Sequence, residues 1–571
     1  LLQAGVTAFN VPLRFRLTGP LDVGVLERTM NTIVARHEAL RTHFEEDGGE
    51  LLQIVSPVLA LKLDVIDLSG QPPERVELEA DRLAGIEARR PFQLATGPLI
   101  RIELLRLGAG IHHLHFTVHH AIFDGLSMTV LAGEMARIYQ SYALGHRCPL
   151  DPLPIQYGDF SVWQQDFLES PAMADQLAYW KQALAGMTEL DLPTDFPRPA
   201  VKSWQGDITS VLLPTGLTDR LQAIAARHGS TLFHLQLAAF QILLGRYTGG
   251  TDIAVGTPVT GRTREELEPL IGVFINSLIL RSDLSGNPTF GEFLLQVRDT
   301  TLNALDNQDL PFECLVRELR PERDAGRNPF FQVNFNHYRS IAPAGTFGGV
   351  SLTTMPSLSP GTIFDLHFFL VEREEGWRAS CDFSTDLFSR ASADRMLGHF
   401  QHLLEDIAAH PEQPIDALEI LTPPEKLALT SWSGAVAAYP REATIGGLFL
   451  ETALRHPQRV ALTSGSRALT YFQLHSESTQ LARQLLEQGL APGELVAISA
   501  RPSPEMVVGF LAILLAGGCC VPIDPTDPQE RFALLLEESG AKLGLATVGC
   551  DSSSTDDGFL RFTGTVKAFY P

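Results

Sequence analysis

Cysteine is scarce in this 571-residue chain. The six are Cys148, Cys314, Cys381, Cys519, Cys520 and Cys550, and no two are spaced CxxC. That spacing gives no disulfide framework and suits a reducing compartment. The adjacent Cys519 and Cys520 lie in an apolar run and read as small core residues. Positive charge is also short: 44 Lys and Arg face 67 Asp and Glu, for a net charge of −23. A nucleic-acid partner needs a basic face, so none is expected. Long hydrophobic runs are missing too. The longest, "MVVGFLAILLAGGCCVP" (506–522), holds three glycines and ends at a proline. It falls short of the ~20 apolar residues of a membrane span and reads as a buried helix. No basic segment followed by an apolar one opens the chain, so no signal peptide is visible. The expected location is cytoplasmic, with no membrane partner.

What is present is ordinary globular composition, 44% hydrophobic and 19% charged. The length calls for three to four units of about 150 residues. "NVPLRFRL" alternates with period two and reads as a strand. A helix follows from about Asp22, with Leu26, Met30, Ile33, His37 and Leu40 on one face. "IRIELLRLGAGIHHLHFTVHHAIFDG" (100–125) reads as two strands joined by the turn "GAG". A helix comes next, with Ser127 as its expected N-cap and Met128, Leu131, Met135, Ile138 and Tyr142 as its apolar stripe. Proline-rich stretches at "PLDPLPIQYGDF", "DLPTDFPRPA" (191–200) and "PEQPIDALEILTPPEK" (411–426) divide the remainder of the chain.

The stretch "HHAIFDG" (119–125) carries the densest polar signal. Strand alternation puts His113, His115, Thr117 and His119 on one face, and Leu114, Phe116, Val118 and His120 on the other. A histidine at a strand end, with an unperturbed pKa of ~6.5, can be neutral near pH 7 and take or orient a proton. A metal site is disfavoured, because the histidines of 112–120 split between faces and no carboxylate or thiolate follows at ligand spacing. Polar residues finishing a core strand are the third reading. Residue types alone leave the catalytic and structural readings open.

Family pattern separates them. HHxxxDG resembles the hallmark of condensation domains of non-ribosomal peptide synthetases, and His119-His120-Ala-Ile-Phe-Asp124-Gly125 matches it. "RHEALRTHF" (36–44), "YGDFSVW" (157–163), "LDLPTDFPRP", "IGVFINSLILR" (271–281), "NQDLPFECLV" (307–316) and "RDAGRNPFFQV" (323–333) resemble further motifs of that family, in family order over about 420 residues. "LTYFQL" (469–474) and "LLAGGCCVPIDPTDPQERF" (514–532) resemble the first two motifs of an amino-acid adenylation domain. Its Gly-rich phosphate loop, later nucleotide motifs and catalytic lysine segment are absent, as is any carrier-protein serine motif. "TSGS" (463–466) mimics the start of the phosphate loop but reads as a hairpin turn. The family's opening SxAQxRLW helix is also absent. Leu126 stands where Trp is common, and Asn307 where His is usual.

The resemblance implies an α/β fold of two chloramphenicol-acetyltransferase-like lobes in a V-shaped pseudo-dimer, followed by a partial α/β adenylation-domain fragment. The expected layout is an N-lobe over 1–180 lacking its first helix, a C-lobe over 181–425, and a linker over 426–445. An adenylation fragment follows over 446–550, then an irregular tail over 551–571. The implied reaction joins a donor acyl or peptidyl thioester to the amine of an acceptor aminoacyl thioester. Both ride on phosphopantetheine arms of upstream and downstream peptidyl carrier proteins. The rest of the adenylation domain is a further expected partner. No cofactor is expected on this chain itself, and ATP and Mg²⁺ belong to a complete adenylation domain. The expected catalytic residues are His120 and Gly125, the latter offering its backbone N–H to a developing oxyanion. His119, Asp124, Arg36 and Arg41 are expected to support the site, with Asp124 paired to Arg36 or Arg41. Tyr157, Asp159, Trp163, Asn276 and Arg281 match motif positions and are expected to be structural, and no metal is expected. Other readings are a catalytically silent piece of a synthetase module that only folds and docks, or an epimerising member of the superfamily. Heterocyclising members carry DxxxxD instead, and plant-type alcohol acyltransferases add DFGWG, which is missing here.

Overall fold

The computed structural model describes residues 5–319, 324–338, 345–355, 358, 361–373, 375–434, 439–547 and 560–562. The chain divides into two compact units, Leu1–Trp432 and Ser433–Pro571.

The first unit opens with strand β1 (Asn10–Thr18) and helix α1 (Val23–Arg36). Asp22 caps α1 by accepting from Val25 N. The helix ends at Arg36; His37, its C-cap, and Leu40, in the following 3₁₀ turn Glu38–Arg41, are buried. Helix α2 (Pro73–Ala88) leads to the strands Ile100–Gly108 and β2 (Ile111–His119), which pair as a hairpin. Helix α3 spans Gly125–Ala143 and helix α4 Tyr157–Leu168. The cap of α3 is Asp124, not Ser127: the Asp124 carboxylate accepts from Ser127 N, because a carboxylate one turn earlier reaches the free N–H groups first. The sheet order is Gly345–Phe347, Val350–Thr354, β1, β2, Ile100–Gly108, Asp64–Asp67. Two of these strands are therefore lent by the second half of the unit.

The second half is built around helix α5 (Leu232–Thr248) and a six-stranded mixed sheet. Its middle strands are β3 (Val333–Tyr338), β4 (Leu366–Arg373) and β5 (Gly376–Ser384), and helix α6 (Arg390–Ala409) packs with α5 on one face. Phe240 of α5 lies 4.5 Å from Phe368 and 5.3 Å from Phe335, centroid to centroid. Each such ring contributes roughly 1.5–3 kcal/mol by leaving water. A second large core lies in the N-lobe, where Leu114, Phe116 and Val118 of β2 pack with Leu26, Met30 and Ile33 of α1. Alternation along β2 is as expected, but the histidine face is buried as well: His113 and His115 are 0% and 3% exposed. The carboxylate of Glu77, on α2, lies 3.6 Å from His113 Nε2.

In the second unit, Val460–Ser464 and Arg467–Thr470 pair antiparallel. Gly465 and Ser466 of "TSGS" are the turn between them, with Gly465 at φ +56°. "MVVGFLAILL" lies in the helix Pro504–Leu515, which buries Val508, Gly509, Ala512 and Ile513. Among the described residues no helix is long and apolar enough to cross a membrane. The run then turns into the edge strand Cys519–Pro522 of a parallel sheet. This corrects the core reading for Cys519, which is exposed because an edge strand is flanked on one side only; Cys520 is half-buried and packs against the core. Cys550 and most of the expected tail, 551–571, lie outside the described residues. Leu560–Phe562 form a strand parallel to Leu543–Thr547. Pro423–Trp432, overlapping the expected linker, is helical.

Candidate active site

β2 ends at His119, and α3 begins at Gly125. The five residues between them turn at the wall of a cavity of about 910 Å³, lined by both lobes. His120, Phe123, Asp124 and Gly125 reach it from the N-lobe; Tyr157 and Trp163 of α4 and Phe274 line it as well. Among the described residues no cluster of His, Cys, Asp or Glu is arranged to hold a metal ion.

His119 and His120 part ways, as the strand geometry requires. His119 is 2% exposed between the rings of Phe9 and Phe92, and its Nδ1 accepts from Ala121 N at 3.2 Å. Burial, with the neighbouring His120, lowers its pKa to about 4. His120 anchors its backbone N–H on Phe9 O at 2.8 Å and turns toward the cavity. Burial pushes its pKa below the usual histidine value, outweighing the opposing pull of nearby carbonyls and of Asp124, so the ring is neutral at pH 7. Its Nδ1 has no hydrogen-bond partner. The ring therefore lacks the carboxylate bond at Nδ1 that a catalytic dyad requires.

The Asp124 carboxylate is fully used elsewhere. Oδ1 accepts from Ser127 N at 2.9 Å and from Arg262 at 3.0 Å, and lies 2.8 Å from Ser127 Oγ; Oδ2 accepts from Phe274 N at 3.0 Å. This overturns the expected pairing with Arg36 or Arg41. Arg36 instead pairs with Glu134 at 3.1 Å, beside His37, and Arg41 donates to Ser56 O and Glu38. Both are committed to other carboxylates. Arg262, 138 residues away from Asp124 in sequence, sits on the segment between the strands Asp252–Val259 and Asn276–Asp283. It donates to the carbonyls of Leu267 and Leu270 and stacks 4.1 Å from the Phe274 ring centroid. The same segment sends Ile271 N to His37 Nδ1 and Gly272 N to Ser127 Oγ. A loop of the second half thus grips the turn of the first. Arg262 had no motif to mark it; only the need of a buried carboxylate for a cation pointed to some arginine.

Gly125 opens α3, so its N–H is among the helix donors with no intrahelical acceptor. A Cβ built there meets nothing within 4 Å. The remaining motif residues hold the frame. Tyr157 donates to Val273 O at 2.8 Å, and burial raises its pKa to about 12. Asp159 caps α4 by accepting from Gln156 N, and Trp163 stacks on Phe167 at 5.0 Å. Asn276 donates to Gln308 O and Leu310 O and accepts from Phe312 N. Arg281 grips Asp252 and the carbonyls of Ala183 and Ala185.

Comparison with known proteins supplies the class. The condensation-domain profile matches residues 1–430, and the AMP-binding enzyme profile matches 449–565. The chain belongs to the condensation-domain family of non-ribosomal peptide synthetases, with part of an AMP-binding domain after it. It is 42% identical over 536 residues to a linear gramicidin synthase protein of Brevibacillus parabrevis, covering 93% of this chain and 7% of that protein. The X-domain from teicoplanin biosynthesis aligns with TM-score 0.68 and 29% identity over 73% of this chain and 94% of its own. A four-domain non-ribosomal peptide synthetase bound to AMP and glycine aligns over 98% of this chain and 43% of its own, with TM-score 0.74 and 22% identity. That likeness shows the shared fold.

Proposed function

We propose that the first unit forms peptide bonds between two carrier-borne thioesters, with the acceptor α-amine attacking the donor thioester carbonyl in the cavity. The observation that carries this reading is the turn itself: His120 and Gly125 line one cavity fed by both lobes, while Asp124 is spent on holding the turn. An amine attacks a thioester readily once both are held together. Holding them in register removes much of the barrier, up to ~7–11 kcal/mol for well-oriented reactants. A neutral imidazole accepts a hydrogen bond from the amine and orients its lone pair. The lowered pKa and unpartnered Nδ1 make His120 a weak base, so orientation is its main role. The Gly125 N–H donates to the carbonyl oxygen as charge develops on it. The thiolate of the donor arm leaves, and the amine proton passes to solvent or to that thiolate.

Upstream and downstream carrier proteins supply the phosphopantetheine arms, and the remaining adenylation domain supplies the aminoacyl group using ATP. The test gives the chain a loaded donor and a loaded acceptor carrier protein and looks for the dipeptidyl thioester by mass spectrometry. Product is expected from the native chain and at least about a hundredfold less from His120→Ala. Equal product from both would refute the role of His120, and none from the native chain would refute the reaction.

A further inference from the structure

The C-lobe sheet has two unlike faces. Val333, Phe335, Leu366, Phe368 and Leu370 point into the helix-covered core. The alternate residues of the same strands point into the reaction cavity: Asn334, Asn336 and Tyr338 of β3, and His367, Phe369 and Val371 of β4. They sit in cross-strand register, Asn334 opposite His367, Asn336 opposite Phe369 and Tyr338 opposite Val371. A cavity wall needs no amides, phenol or imidazole for packing. Apolar residues would fill these positions more stably unless something bound there needed hydrogen bonds.

The wall's hydrogen-bonding capacity is not used up internally. His367 lines the cavity, and its Nε2 is buried with no partner. Tyr338 accepts from Asn336 Nδ2, which leaves its own O–H to donate. Asn336 Oδ1 is committed to His337 N at 2.8 Å, but its amide carries a second hydrogen. The wall is uncharged at neutral pH: burial lowers His367 to about 4 and raises Tyr338 to about 12. Charged side chains line other parts of the cavity, Arg14, Asp124, Asp309 and Glu313 among them. On this sheet Arg373 is exposed at the strand end, and Asp382, opposite His367, has contacts of its own.

We propose that this wall, through Asn336, Tyr338 and His367, selects an uncharged hydrogen-bonding side chain, an amide or hydroxyl, on one of the two condensing aminoacyl groups. The proposal rests on the condensation reading above and adds a substrate class to it. A side chain with a carbonyl or hydroxyl oxygen accepts from Tyr338 and pairs with His367. A hydrocarbon of the same shape leaves those groups dry and unpaired, which is how a polar pocket rejects an apolar isostere.

The test uses the full chain with isosteric pairs, Asn against Leu and Thr against Val, loaded in turn on the donor carrier with a fixed acceptor and on the acceptor carrier with a fixed donor. The native chain is expected to favour the polar member by about tenfold on one side, the equivalent of one hydrogen bond. That side identifies which aminoacyl group the wall reads. Asn336→Leu/His367→Phe is expected to bring the ratio to within about twofold while the apolar product persists. The milder His367→Asn, which keeps a polar group, is expected to retain most of the preference and guards against a misfolded double variant. An unchanged ratio in the double variant overturns the proposal. So does equal loss of every product, which would mean that the wall holds the pantetheine arm. Calorimetric titration with stable amide analogues of the aminoacyl-pantetheines separates this proposal from the reaction. If no pair condenses but the analogues show the polar preference, the reaction reading fails and the wall's selectivity stands. If they show none, both fail.

Discussion

At the residue scale, the site contains two histidines and one carboxylate with divided work. His119 is packed between rings, His120 faces the cavity, and Asp124 serves the turn rather than either histidine. If His120 mainly orients the amine, a residue that accepts a hydrogen bond without being basic should partly replace it. His120→Gln is expected to keep single-turnover condensation within about tenfold of native, with His120→Ala at least about tenfold lower again. Gln and Ala equally inactive, with unfolding midpoints unchanged, would point to proton abstraction instead. The Arg262–Asp124 pair makes a stability prediction. Arg262 and Asp124 are each 3% exposed, so removing one partner strands a buried charge. Arg262→Met is expected to cost about 3–5 kcal/mol in denaturant unfolding. Adding Asp124→Asn should recover part of that loss, since an uncharged amide no longer needs the guanidinium. A strictly additive pair would count against the coupling.

At the scale of elements, two glycines of the site should behave oppositely. Gly261 sits at φ +61°, and a Cβ there would lie 1.8 Å from Phe274 O. Gly261→Ala must displace the segment that carries Arg262, and is expected to cost about 2–4 kcal/mol. Gly125 starts α3 with open space where its Cβ would go. Gly125→Ala is therefore expected to leave thermal stability unchanged and to cut condensation, because the methyl group enters the volume the thioester needs. A fully active Gly125→Ala would show that the thioester does not need that volume, since the variant keeps the backbone N–H. The strands and helices around these glycines were legible from the sequence. Alternation along 111–119 separates the histidine faces, the spacing of Leu26, Met30 and Ile33 marks α1, and "TSGS" reads correctly as a turn. What stayed hidden was every contact made across the two halves. Arg262 reaches Asp124 from 138 residues away, two strands of the N-lobe sheet come from residues 345–354, and the polar face of β3 and β4 becomes a cavity wall only once both lobes are in place. Periodicity reports which face of an element is apolar. It does not report which distant segment will cover it, so resemblance and charge point to Arg36 and Arg41 rather than to the arginine that binds.

At the scale of the whole molecule, buried neutral histidines give the fold a distinct acid limit. His115 and His119 are 3% and 2% exposed in the N-lobe, and burial holds both near a pKa of about 4. His367, on the C-lobe sheet, is also lowered to about 4 by burial. In the unfolded chain each returns to ~6.5. Between these values the unfolded state binds a proton that the folded state does not. Stability therefore rises with pH across the window and falls as pH drops below about 6.5. The slope approaches 1.36 kcal/mol per pH unit for each histidine, so from pH 6.5 to 5 each removes on the order of 2 kcal/mol. Most carboxylates are still ionised at pH 5, so the histidines dominate this part of the curve. Urea unfolding of the chain followed from pH 8 to 5 is expected to be flat above about 7 and to fall steeply below 6.5. His115 makes no hydrogen bond through either ring nitrogen, so His115→Phe removes one titrating group without stranding a partner. That variant is expected to lose about 2 kcal/mol less than the native chain over the same interval, whatever its stability at pH 8. An identical acid limb in both proteins would show that His115 is protonated inside the fold, and that the space between β2 and α2 admits enough water, or enough of the negative charge of Asp81, to hold the cation against Arg14.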